Sequence, residues 1–211
     1  MSSGTESSSY IGKALLVANR YSRILPVMPE RICSIEGIRL LPLSGYVSNG
    51  ISEKEVFSMW RNSDGALNVY FRGRERLAAI SYNDRCAPHR IRFTLAEELM
   101  HYFLGHADDP RSCYGRKEYS GEFYARCETE AKHAACILLC PPVFFYNYRP
   151  NTAEMMKICS ISEDCAASIR RYYTQDERLI TKSFEYARST LPELSFDPRH
   201  KTVMFDDGYE L

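Results

Sequence analysis

Hydrophobic residues recur along this chain at two different spacings, and each spacing predicts a different type of element. Apolar positions three and four residues apart over 10–21 predict an amphipathic helix. A short apolar run at 37–41 predicts a strand. Two turn residues follow this strand: Pro42 and Gly45. Ser52 and Glu55 have the spacing of a capping box, which predicts a helix that runs to about Trp60.

The central part of the chain predicts two strands followed by a long helix. Residues 67–71 and 77–82 are rich in β-branched, aromatic and aliphatic side chains, and the polar, arginine-rich segment 72–76 joins them. These two runs predict an antiparallel pair. The helical pattern of 89–105 comes next, and Gly105 is a typical residue for its C-terminal end.

The second half of the chain is predominantly helical in pattern. A helix is predicted over 120–140, where Pro141 and Pro142 end it, and residues 143–150 are aromatic and irregular. Three shorter helices are predicted after that: 151–159, 162–173 and 176–188. The elements together predict an α+β fold with a small antiparallel sheet packed on the helix of 89–105 and a helical C-terminal half. The predicted organisation is a disordered start, one domain and a tail: residues 1–9, 10–190 and 191–211.

Charge and composition exclude several functional classes. Lys and Arg together number 27, as do Asp and Glu, so the formal net charge is zero and direct binding to nucleic acid is not expected. No apolar run approaches the roughly 18 residues of a membrane span, and no signal peptide is evident, so we expect a cytoplasmic protein without a membrane partner. The eight cysteines include no C-x-x-C pair, and we expect them to be reduced, small, buried apolar groups.

The strongest chemical signal lies on the central helix. Glu97, Glu98 and His101 have the spacing of the zinc-peptidase motif H-E-x-x-H, with glutamate in the place of the first histidine. On a helix, Glu97 and His101 lie about 40° apart, and Glu98 lies about 60° from His101 on the other side. All three side chains can therefore face one cleft.

The flanks of this motif resemble the ImmA/IrrE family of metallopeptidases. The segment Arg90-Ile-Arg-Phe-Thr-Leu-Ala-Glu-Glu-Leu-Met-His-Tyr-Phe-Leu-Gly-His106 is similar to that family's R-F-T-L-A-H-E-L-G-H-x-L-L-G-H. Downstream, Glu128-Thr-Glu-Ala-Lys-His-Ala-Ala-Cys-Ile-Leu-Leu-Cys-Pro141 is similar to its E-x-x-A-N/D-x-F-A-x-x-L-L-M-P. The resemblance covers roughly residues 11–175 and implies a zincin-like metallopeptidase fold.

The resemblance also implies roles for single residues. Glu98 corresponds to the general base, His101 to the second histidine ligand, and Glu128 to the carboxylate ligand on the next helix, with Glu130 as its rival. Glu97 stands at the first ligand position. A carboxylate there can still bind Zn²⁺, and the oxygen-rich set shifts the preference toward harder ions, so Mn²⁺ is the alternative metal. His106 corresponds to a recurring structural residue.

Three functions follow from these residues. The first is a zinc-type endopeptidase that cleaves a protein substrate, by resemblance a DNA-binding transcriptional repressor. The second is a weak or inactive pseudo-peptidase that binds a regulatory protein, which the replacement at Glu97 favours. The third is a carboxylate di-metal protein, because Glu98 with His101 and Glu130 with His133 form two E-x-x-H pairs.

Overall fold

The computed structural model describes residues 3–22, 24–108, 121–175, 177–178, 180, 193–197 and 202–206. Nine helices and five strands lie in these ranges. The helices are α1 (Ser3–Tyr21), α2 (Pro29–Ile35), α3 (Leu43–Ser48), α4 (Glu53–Met59), α5 (Pro88–Leu104), α6 (Gly121–Leu139), α7 (Pro142–Tyr148), α8 (Thr152–Cys159) and α9 (Glu163–Gln175). The strands are β1 (Arg39–Pro42), β2 (Gly65–Arg72), β3 (Glu75–Tyr82), β4 (Glu193–Asp197) and β5 (Thr202–Asp206).

The chain divides into two compact units. One comprises Met28–Ala131, and the other comprises Met1–Val27 together with Lys132–Leu211, so the division falls within α6. The described elements confirm an α+β fold that is mostly helical, with a small three-stranded sheet. The predicted helix over 176–188 lies largely outside the described residues, and the described parts of the predicted tail 191–211 are the strands β4 and β5.

The sheet of the unit Met28–Ala131 is mixed, so the prediction of an antiparallel sheet was wrong for one strand. Strands β2 and β3 form the predicted antiparallel hairpin, but β1 pairs with β3 in parallel, giving the order β1-β3-β2. The reason is topological. From β1 the chain passes through α3 and α4 into β2 and then reverses in the hairpin, so β3 runs in the same direction as β1 and lies between β1 and β2.

Helices cover both faces of this sheet. Leu67 and Ile80 are opposite each other in the register, are fully buried, and lie on the face against which α5 packs. Side chains alternate between faces along a strand, so the neighbouring Ala66 lies on the other face. There it joins a core cluster with residues of α3 and α4, among them Trp60.

Two prolines stand at the start of helices that were not predicted from the sequence. Pro42 is the N-cap of α3, although it was predicted as a turn residue with Gly45, and Gly45 lies inside that helix. Pro142 begins α7, although 143–150 was predicted to be irregular. A proline without an N–H is well suited to the first helical turn, where that group has no intrahelical partner. Proline therefore marks the start of these helices as well as the end of α6.

The predicted helix ends agree well with the structure elsewhere. Ser52 and Glu55 form the predicted capping box of α4, and Gly105 ends α5 in the left-handed conformation, with φ of 79°. In the other unit, Asn151 and Glu154 form a second capping box at the start of α8. Within the described part, seven cysteines are free and six of them are buried, as expected.

The unit that contains the chain's two ends has its own core. The hydroxyl of Ser22 donates to the carbonyl of Leu138 at 2.8 Å and ties the end of α1 to α6. The Tyr173 hydroxyl donates to the carbonyl of Cys140, so α9 is bound to the end of the same helix. Strands β4 and β5 form an antiparallel hairpin.

Candidate metal centre

Helix α5 positions three of the four predicted site residues. Glu97 and His101 are one helical turn apart and partly exposed, whereas Glu98 between them is buried, with 8% of its surface exposed. Leu95 and Leu99 on the same helix are fully buried and fix its rotation. The apolar face of α5 is therefore buried, and the two partly exposed polar side chains lie at the surface.

Helix α6 supplies the fourth residue. Nitrogen and oxygen atoms of Glu97, His101 and Glu128 all lie within 4.8 Å of one another. His101 Nε2 lies 3.4 Å from Glu128 Oε1, and the two side chains are 13% and 27% exposed. Two ligands about 2.1 Å from one zinc ion at the tetrahedral angle lie about 3.4 Å apart, so this pair has the separation that such an ion requires.

A chain of hydrogen bonds orients His101. Its Nδ1 lies 3.0 Å from Nδ1 of His106, and Nε2 of His106 lies 3.2 Å from Oε2 of Glu130. Both bonds are satisfied together when His101 donates from Nδ1 and His106 donates from Nε2 to the carboxylate. His101 Nε2 then carries a lone pair toward Glu128. Two electron-rich atoms that face each other are suited to hold a cation between them. The donor set is therefore compatible with a bound metal ion.

The same contacts distinguish Glu128 from Glu130, the two candidate carboxylate ligands on α6. Glu130 contacts His106, and Arg126 Nε lies 3.7 Å from its other carboxylate oxygen. Glu128 is the carboxylate of α6 that comes together with Glu97 and His101. His106 lies behind His101, on the nitrogen that faces away from Glu128.

The environment of Glu98 differs from that of an ordinary carboxyl group. Burial, followed by the negative charges of Glu97 and Glu128, raises its pKa from 4.5 to about 8. A hydrogen bond from the backbone N–H of Leu67 opposes this shift. At neutral pH and without a cation, Glu98 is therefore mostly protonated. A group whose pKa lies near the working pH is well suited to accept and return a proton.

Gly65 allows the sheet to approach the helix at this point. A Cβ atom on Gly65 would lie 2.5 Å from Cγ2 of Thr94 and 3.5 Å from Cγ of Glu98. Only a glycine lets the start of β2 come this close to α5 and bring the N–H of Leu67 to Glu98. Gly65 was not among the predicted site residues. The available signal was an isolated glycine at the start of a strand, which often marks a close approach of backbone.

Tyr124 is a further residue at the centre. It lies one turn before Glu128 on α6 and forms a hydrogen bond with that carboxylate. Burial and the charge of Glu128 raise the pKa of its hydroxyl, while the Arg61 guanidinium, 5.7 Å from the ring centroid, lowers it. Tyr102, in contrast, lies under the guanidinium of Arg76 at 4.1 Å. Neither tyrosine was among the predicted site residues.

Comparison with known families decides what this arrangement belongs to. Residues 61–164 match a peptidase family model described as the IrrE N-terminal-like domain. Over this segment the chain resembles the IrrE N-terminal-like domain. This confirms the resemblance to the ImmA/IrrE-type family, over a shorter segment than the 11–175 expected from the motifs. No curated protein matches the chain significantly.

The IrrE N-terminal-like domain contains every residue of the candidate centre. Its limits include β2, β3, α5 and α6, and hence Glu97, Glu98, His101 and Glu128. The family match suggests a metallopeptidase-like function, and the three converging side chains form a possible site for a divalent metal. The part of the chain that the structure describes holds no second group of this kind.

Two exclusions made from the sequence can be compared with the structure. The segment 72–76 comprises the β2–β3 turn and the strand ends beside it, and there Arg72 pairs with Glu75 at 2.7 Å and Arg76 with Asp108 at 2.8 Å. Two of its three arginines therefore have carboxylate partners. None of the described helices has the length and apolar character needed to cross a membrane.

Proposed function

We propose that this protein is a metal-dependent endopeptidase of zincin-like fold, with Glu97, His101 and Glu128 as ligands and Glu98 as the general base. The observation that carries the proposal is the convergence of three ligand side chains beside a buried carboxyl group. The family match adds the expectation of peptide hydrolysis. By the resemblance, the substrate is a DNA-binding repressor in the cytoplasm.

The chemistry divides between the metal and the chain. A divalent cation at these ligands would supply Lewis acidity toward a peptide carbonyl and toward water. Glu98 in its ionised form accepts a proton from the attacking water and returns it to the leaving amide nitrogen. The N–H of Leu67 orients the Glu98 carboxylate for this transfer, and burial makes the carboxylate a stronger base. Tyr124 holds Glu128 in place through their hydrogen bond.

The sheet edge supports a peptide as the substrate. Strand β2 lies at the edge of the three-stranded sheet, and Leu67 on this strand already directs its N–H to Glu98. Backbone groups on the open side of an edge strand can pair with an extended peptide. A substrate segment bound along β2 would run beside Glu98.

The ligand set favours Zn²⁺, with Mn²⁺ as the alternative. One imidazole and two carboxylates bring two negative charges to a dipositive ion, which leaves less charge to acidify water than a site with two histidines. Oxygen donors also suit the harder ion Mn²⁺. We therefore expect a working enzyme with lower activity than a relative that has the intact motif.

Glu97 supports a second function, that of a pseudo-peptidase that binds a regulatory protein without cutting it. The third function, a di-metal protein, has less support. Glu130 contacts His106, and His133 hydrogen-bonds Tyr10 at 2.8 Å, so the second E-x-x-H pair has other partners. No second ligand group accompanies it in the described residues.

Element analysis and a cleavage assay test the proposal together. Protein purified without added metal should contain about one zinc or manganese per chain. The Glu98→Gln variant should keep this metal but no longer cleave a repressor that co-purifies with the protein or is encoded next to it. Glu122→Gln, an exposed carboxylate in the first turn of α6, is the matched control and should remain active. Bound metal without cleavage in the unmodified protein would favour the pseudo-peptidase. Absence of any bound metal after addition of Zn²⁺ or Mn²⁺ would refute the metal-dependent endopeptidase and the di-metal protein.

A further inference from the structure

A cavity lies on the face of the sheet opposite α5, away from the candidate metal centre. Its volume is about 300 Å³, and it contains none of the candidate metal ligands. Ala66 of β2 and Ala79 of β3 line it, and both are almost fully buried. Helices α3 and α4 cover this face of the sheet only partly. The two small alanine side chains leave the space that forms the cavity. The volume is at the lower end of the range for small-molecule sites.

Aromatic side chains form rigid walls of the cavity. The Tyr46 hydroxyl lies 2.8 Å from Oγ of Ser81, which fixes the ring against β3. Trp60 is 5% exposed and meets Tyr46 edge to face, with ring centroids 6.0 Å apart. Phe57 contacts the indole from a further direction at 5.7 Å. The walls are therefore preformed and do not need to be ordered when a ligand binds.

Two polar side chains flank the cavity on either side of Ala79. In the register of the sheet, Ala79 pairs with Arg39 on β1 and with Asn68 on β2. Adjacent strands lie about 4.8 Å apart, so the Cα atoms of Arg39 and Asn68 are roughly 10 Å apart, with the floor of the cavity between them. Neither side chain has a hydrogen-bond or ion-pair partner among the residues that the structure describes. Both are exposed and line the cavity.

We propose that this cavity binds a small aromatic carboxylate. The ring of such a ligand would pack against the wall formed by Trp60 and Tyr46, and its carboxylate would receive hydrogen bonds from the guanidinium of Arg39 and the amide of Asn68. One guanidinium matches the single negative charge of a carboxylate better than the double charge of a phosphate. A neutral apolar ligand would leave Arg39 without a role. The proposal is independent of the metal centre and of the peptidase function.

The tryptophan content of the chain gives a direct assay. Trp60 is its only tryptophan, so intrinsic fluorescence excited at a wavelength that phenylacetate does not absorb reports on this cavity alone. The metal-free full-length protein is titrated with phenylacetate to roughly 20 mM, because fragment-sized ligands commonly bind in the millimolar range. Phenylacetamide, which has the same ring and no charge, is the matched ligand. We expect a saturable change with phenylacetate and binding of phenylacetamide weaker by about tenfold or more.

A pair of variants tests the role of the guanidinium. Arg39→Met keeps the apolar stem and removes the charge, and Arg74→Met makes the same change at an exposed position of the β2–β3 turn. Phenylacetate affinity should fall by about tenfold or more in the first variant and stay unchanged in the second. Equal affinity for the two ligands, unchanged affinity in Arg39→Met, or no saturable signal by fluorescence and by calorimetry would each overturn the proposal. The comparison of the two ligands in the unmodified protein decides the question even if Arg39→Met does not fold.

Discussion

Replacing Glu98 by glutamine should change how the stability of the metal-free protein depends on pH. The folded state raises the pKa of this carboxyl group from 4.5 to about 8, mainly by burial. Folded protein therefore binds this proton more tightly than unfolded protein does. The stability that the proton contributes is fully present below pH 4.5, falls as the pH rises, and is lost above about pH 8. Glutamine at this position is neutral at every pH and has no such dependence.

The size of the effect follows from the two pKa values. At about 1.4 kcal/mol per pH unit, the span from 4.5 to about 8 corresponds to at most about 5 kcal/mol. Between pH 5 and pH 8, about 3–4 kcal/mol of this should be observed, because titration is incomplete at both limits. A domain of this size is stabilised by only about 5–15 kcal/mol in total, so the change is large enough to measure.

Urea unfolding in the presence of EDTA, at steps of half a pH unit, measures the effect. The free energy of unfolding of the unmodified protein minus that of Glu98→Gln should decrease steadily from pH 5 to pH 8. Saturating Zn²⁺ should flatten this difference, since a cation favours the ionised carboxylate. Glu122→Gln serves as the exposed control and should parallel the unmodified protein. If the free energy of unfolding of Glu98→Gln changed with pH in parallel with that of the unmodified protein, Glu98 would not be buried between Glu97 and Glu128 as described.

Three further predictions concern the metal and the packing around it. Glu97→His should bind Zn²⁺ more tightly and Mn²⁺ less tightly, because an imidazole replaces a hard oxygen donor, and competition with a fluorescent chelator measures both affinities; equal selectivity in the two proteins would argue against ligation by Glu97. His106→Ala should weaken Zn²⁺ binding by about 10–100-fold, because His101 loses the partner that fixes its ring; the same chelator assay checks this. Gly65→Ala should destabilise the protein by about 1–3 kcal/mol, because the new Cβ overlaps Thr94, whereas Gly12→Ala in α1, which meets no atom within 4 Å, should stabilise it by about 0.5–1 kcal/mol. Thermal unfolding of the two glycine variants should therefore shift in opposite directions.

The sequence was sufficient for elements whose signals are local. The capping box of Ser52 and Glu55 fixed the start of α4, because its hydrogen bonds join residues three positions apart. Gly105 ended α5 for a similarly local reason, the left-handed conformation that glycine adopts readily. Where the same local signal has two meanings, as with Pro42 and Pro142, one meaning was missed, since both prolines stand at the start of a helix.

The relative positions of side chains on different helices and strands could not be predicted from such local signals. Glu128 and Glu130 both lie near the start of a matching motif, and they point in directions about 200° apart on a helix. The rotation of α6 brings Glu128 to His101 and Glu130 to His106, and it depends on the packing of the whole helix. The same is true of Gly65, whose importance arises only from the closeness of α5.

The sequence by itself determined the family, the motif helix and the set of chemically competent residues, because periodicity, caps and motif spacing are properties of contiguous chain. The tertiary structure decided which of those residues meet, the parallel pairing of β1 and the buried state of Glu98. It also placed Arg39, Trp60 and Asn68 around one cavity, although they come from three separate elements. These features depend on contacts between residues far apart in the chain, and such contacts are set by how the layers pack against each other.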